Sequence, residues 1–117
     1  LGDVYKRQDE DCATAVSALS DYIEHVHAKD MLVRSGMNFD PGKGYNLSRG
    51  GNYWRGTIFG HGNVPTFQIL SAIRKSGYDG YVSLEFEGME PVLEGVEIGT
   101  QNLQHMIKVI GEGQRYV

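Results

Sequence analysis

Two stretches of this chain alternate apolar and polar residues with period two, and a helical stretch lies between them. Tyr22 to Lys29 (YIEHVHAK) puts Tyr22, Glu24, Val26 and Ala28 on one face and Ile23, His25, His27 and Lys29 on the other. Tyr81 to Glu87 (YVSLEFE) puts Val82, Leu84 and Phe86 on one face and Tyr81, Ser83, Glu85 and Glu87 on the other. Between them, VPTFQILSAIRKSG reads as a punctuated helix. Pro65 suits its first turn, Phe67, Leu70 and Ile73 share a face, and Gly77 fits the position just past its end. Strands joined by a helical crossover are parallel and right-handed, with helices packed on their apolar faces. The expected class is therefore α/β.

The remaining segments fill in the order helix, strand, long loop, helix, strand, helix. Ala13 to Ser20 is a short helical stretch, and about Val92 to Ile110 is an amphipathic helix with Val96, Leu103, Met106, Ile107 and Ile110 on one side. Residues 31 to 64 form a glycine-rich connection, far longer than is usual in a compact domain, and such connections tend to be functional or disordered. In a closed β/α barrel the polar stripe of each strand faces the interior, and the C-terminal strand ends carry the site. Two parallel strands cannot close a barrel, since they leave two unpaired edges. The expected architecture is thus the C-terminal portion, about the last two β/α units, of a TIM (β/α)8 barrel.

Composition narrows the function classes. The chain has 117 residues, enough for one small domain, with a globular balance of 40% hydrophobic and 22% charged residues. Its net charge of −4 argues against nucleic acid as a partner. No apolar run approaches the roughly 20 residues that span a bilayer, so no membrane partner is expected. With no signal-peptide pattern and one cysteine, Cys12, a cytoplasmic location is expected. The opening octapeptide LGDVYKRQ stands apart from the rest. DVYKRQ can be read as GAT GTG TAT AAG AGA CAG, similar to the end of a transposon adaptor used in library preparation. Residues 1–8 are therefore expected to be non-native and 9–117 to be the barrel fragment.

The chemistry-bearing residues gather at the strand ends. His25 and His27 share a face about 6.6 Å apart by strand rise, and His27 lies nearer the end. On the second strand Glu85 and Glu87 are interchangeable by face. Imidazole and carboxylate converging from adjacent strands suit Mn2+, Mg2+, Co2+ or Zn2+. The plainer reading of each is a solvated or packed strand-end residue. Lys29 and Asp30 read either as an exposed ion pair or as holders of substrate oxygens at the mouth. In the long connection, RGGNYWRG offers Arg55 for anionic oxygens and GHGNV offers His61, the alternatives being a lid packed by Tyr53 and Trp54 and a flexible turn.

Three stretches together, YIEHVHAKD, GHGNVPTFQIL and GYDGYVSLEFEGME, resemble the C-terminal part of the xylose isomerase-like TIM-barrel superfamily of sugar phosphate isomerases and epimerases. The run RGGNYWRGTIFGHG suggests a subgroup with an enlarged loop after the histidine strand. The resemblance implies one divalent metal held by a Glu, an Asp, a His and a second Glu from different strands. By motif position, the His and the second Glu carry over to His27 and Glu85, and Glu85 doubles as a catalytic acid/base in proton transfer through an enediolate. The first Glu and the Asp would lie before residue 9, so the metal site is expected to be incomplete and the chain by itself inactive. The family's arginine a few residues after the histidine has no secure match, with Val33 and Arg34 in the region. The expected substrate is a sugar or sugar phosphate, with His25, Lys29, Asp30, Arg55 and His61 as substrate-binding candidates. Homo-oligomerisation of the full-length protein is left open. Rival readings are a dehydratase or an endonuclease IV-like enzyme on the same barrel, or a non-catalytic binding module.

Overall fold

Alternation becomes two short, hydrogen-bonded strands in the computed structural model, which describes residues 23–112. The octapeptide, Cys12 and the helix expected at Ala13 to Ser20 lie outside the described residues. Strand β1 (Val26–Ala28) pairs in parallel with β5 (Val82–Leu84), in the register Val26↔Val82, His27↔Ser83 and Ala28↔Leu84. The pairing continues past the strand ends, where the Glu85 N–H donates to the Ala28 carbonyl at 2.9 Å.

The apolar faces are covered as the period-two pattern requires. Helix α1 (Thr66–Lys75) buries Leu70 and Ile73, and helix α2 (Val92–Gly111) buries Gly95, Gly99 and Leu103. Ala28, Phe59, Leu70 and Leu103 form the core, with Val82, Leu84, Met106 and Ile110 packed against it. Full burial of one such side chain contributes about 1.5–3 kcal/mol. The α2 stripe differs from expectation at two residues: Val96 and Ile107 are 42% and 46% exposed. The helix instead turns its glycines inward, where a Cβ at Gly95 would press on the Phe86 ring. Helix α1 starts after Pro65 and ends at Ser76, with Gly77 at φ 87° as the residue beyond its cap.

The largest departure lies in residues 31–64. The long connection contains a three-stranded antiparallel sheet in the order β2 (Asp30–Arg34), β4 (Tyr53–Thr57), β3 (Asn46–Leu47). The histidine strand therefore ends at Ala28, and after Lys29 the chain enters this insert directly. Short strands with mixed polarity carry little periodic signal, which is why the segment reads as a loop.

A backbone bridge ties the insert to the segment after β5, and a buried carboxylate braces the insert itself. Gly56 of β4 makes a parallel bridge to Gly88, and a Cβ at Gly56 would collide with the Glu87 carbonyl. Asp30 is 1% exposed, and its carboxylate accepts N–H bonds from Met31 (2.9 Å), Gly60 (3.0 Å), Gly62 (2.9 Å) and Val64 (3.2 Å). The loop after β4 is thereby fastened to the start of β2. Gly62 is required there, because a Cβ would strike the Asp30 carboxylate.

Candidate metal centre

The polar faces of β1 and β5 meet as a ladder of two side-chain pairs. His25 Nε2 lies 3.1 Å from Ser83 Oγ, and His27 Nδ1 lies 2.5 Å from Glu85 Oε1. The two imidazoles lean together, with centroids 4.6 Å apart and planes at 54°. His27 and Glu85 side chains are 54% and 39% exposed, so the pair faces solvent. Parallel register explains the juxtaposition. With Ala28 opposite Leu84, residues of the other parity on both strands face the same side.

Lys29 sets the second oxygen of Glu85. Its side chain is only 6% exposed, and its ammonium lies 3.1 Å from Glu87 Oε1 and 3.9 Å from Glu85 Oε2. Face alone left Glu85 and Glu87 interchangeable; in the structure Glu85 takes the histidine and Glu87 takes the lysine. Lys29 and Asp30 are not an exposed pair, since both are withdrawn from solvent and each has other partners. Asp30 in particular spends its oxygens on backbone N–H groups and has none turned to the strand-end mouth. Burial pushes its carboxyl above the usual range, against the four N–H bonds that favour the anion.

The other two candidates sit elsewhere. Arg55, on β4, reaches Glu90 Oε1 at 3.5 Å and lies 5.8 Å from the Tyr45 ring centroid. His61 is exposed on the turn after β4, where its N–H donates to the Ile58 carbonyl at 2.9 Å. Glu90, Tyr45 and Ser83 escaped the sequence reading. The alternation of YVSLEFE already placed Ser83 beside Glu85, whereas Glu90 and Tyr45 acquire their partners only through the insert's packing.

One imidazole nitrogen and one carboxylate oxygen facing each other fit a divalent ion in donor type. Among the described residues no group of three or more His, Cys, Asp or Glu is placed to hold a metal. Nor is any helix among those residues long and apolar enough to cross a membrane.

Comparison with known proteins agrees with this geometry at the level of fold. No curated protein matches the chain. The model of a family described as xylose isomerase-like TIM barrel matches residues 2–110, nearly the whole sequence. That family holds isomerases and epimerases and other enzymes besides. A parallel strand pair with helices on one face and polar side chains on the other is what two neighbouring units of such a barrel present. The chain belongs to the xylose isomerase-like TIM barrel family.

Proposed function

We propose that this chain is part of a divalent-metal-dependent isomerase or epimerase acting on a sugar or sugar phosphate. His27 and Glu85 are two of the metal's ligands, and Glu85 also exchanges the substrate proton. The reading rests on one observation: His27 Nδ1 and Glu85 Oε1 converge to 2.5 Å at the C-terminal ends of adjacent parallel strands. Barrel enzymes build their sites at that end.

The pair suits Mn2+, Mg2+, Co2+ or Zn2+, with a further Glu and an Asp supplied by barrel strands other than the two described. When bound, the ion supplies positive charge against an oxyanion developing on the substrate. Glu85 then removes or returns a proton at the carbon next to the carbonyl, and a second carboxylate does so from the other side. Lys29 keeps Glu85 Oε2 turned away from His27, so that Oε1 is presented to the site.

Manganese titration by calorimetry tests the reading. The 117-residue chain should bind Mn2+ more weakly than micromolar, and H27A and E85A should each abolish the signal. A submicromolar site unaffected by either variant would assign the metal elsewhere. The full-length gene should encode a Glu and an Asp at the ends of two earlier strands. An intact reading frame without them would sink the metal-enzyme reading.

A further inference from the structure

The insert carries a second group of charged side chains that the strand-end chemistry leaves unused. In the β2–β4 register Leu32 stands opposite Arg55 and Arg34 opposite Tyr53, so Arg34 and Arg55 share one face of the antiparallel sheet. Tyr45 precedes β3, whose register against β4 (Asn46↔Trp54, Leu47↔Tyr53) brings it beside Arg55. The Arg55 guanidinium lies 5.8 Å from the Tyr45 ring centroid. Both cations, Arg34 foremost, hold the phenol's pKa below the ordinary 10.0.

Two guanidiniums gathered round one phenol make an electropositive spot. Glu90 offsets part of it: its Oε1 lies 3.5 Å from Arg55, while its Oε2 accepts the Thr57 hydroxyl at 2.6 Å. Arg34 is exposed, and each guanidinium has five N–H donors, more than these contacts use. The spot is also tied to the strand-end chemistry. Gly56, next to Arg55, bridges to Gly88, in the short segment that follows Glu85.

We propose that Arg34, Tyr45 and Arg55 form a subsite for an oxyanion substituent of the substrate, a phosphate monoester or a sugar carboxylate. The substrate class is then an acidic sugar. That last step rests on the isomerase or epimerase reading above; the oxyanion subsite does not.

Calorimetry and amide chemical-shift mapping on the 117-residue chain test it, using inorganic phosphate, a sugar phosphate, a sugar acid and the matching neutral sugar as probes. Phosphate should shift residues 34, 45 and 55, and R34Q or R55Q should weaken its binding about tenfold, the loss of one charge-assisted fork. The sugar phosphate or the sugar acid should bind about tenfold tighter than the neutral sugar, and whichever binds tighter identifies the substituent. The Tyr45 phenol titration, isolated by difference from Y45F, should move upward when phosphate is bound.

Absence of phosphate-dependent shifts at these residues would overturn the proposal. So would a double variant R34Q/R55Q that binds phosphate like the wild type. Should the double variant not fold, R34K decides, since it keeps the charge and loses the fork: unchanged phosphate affinity would count against the subsite. Phosphate binding that persists where the wild type fails to bind Mn2+ would remove the isomerase reading and leave the subsite standing. Mn2+ binding without phosphate binding would do the reverse.

Discussion

The parallel pair β1/β5 and the antiparallel insert β2–β4–β3 are built on opposite terms. The pair has three residues per strand and carries exposed side chains, His27 and Glu85, on its polar face. The insert has two five-residue strands, a fully buried Met31 and a buried carboxylate that fastens the loop beyond it. The proposed chemistry falls on the element with the least internal bracing, and the bracing is concentrated next to it. Side chains exposed enough to take a ligand contribute little to stability, so the neighbouring insert must hold the strand ends in place.

The sharpest way to break this contrast is at Asp30. D30A would leave four N–H groups without their acceptor, those of Met31 and Val64 buried and those of Gly60 and Gly62 partly so, and is expected to cost on the order of 3–5 kcal/mol, read by urea denaturation. Hydrogen exchange should then accelerate at Gly60, Gly62 and Val64 before it does in α2. Uniform acceleration across the chain would mean that the insert is not a separate brace. G56V comes next. Its side chain would push β4 off the Glu87 carbonyl, for a loss of about 1–3 kcal/mol. On the parallel pair the expectation reverses: H27A and E85Q should change stability by about 0–1 kcal/mol while removing Mn2+ binding. A loss beyond 2 kcal/mol, taken as about the upper end for exposed pairs, would show that the pair is structural.

The smallest effects are in pH. The Asp30 carboxyl is raised in the folded state by burial, so its contribution is complete below the ordinary value of 3.8 and is lost as pH rises through the folded value. Glu90 has the opposite sign. Burial works to raise its carboxyl, but the Thr57 hydroxyl, backbone N–H bonds and Arg55 outweigh it. Its contribution is present above the ordinary 4.5 and is lost as pH falls through the lowered folded value. Stability curves of E90Q should therefore lose part of the acid-side decline, and those of D30N part of the opposing slope. Parallel curves for wild type and E90Q would remove Glu90 from the insert's anchoring.

What could be read before folding follows from periodicity. Period-two alternation determined that Val82 and Leu84 face the helices, and that His25, His27, Ser83 and Glu85 face the other way. The Pro65 and Gly77 signals placed α1. These are local properties, set by backbone geometry within a few residues. Tertiary structure alone decided the rest. Residues 31–64 became a sheet because β2 and β4 supply each other's hydrogen bonds, although neither has a strong pattern alone. Asp30 became a clamp because Gly60, Gly62 and Val64 come back to it from about thirty residues away. Glu85 was chosen over Glu87 by the neighbours each meets, His27 for one and Lys29 for the other. The sequence by itself determined which side chains share a face; only the packed chain decided which of them meet, because a meeting depends on contacts far apart along the chain.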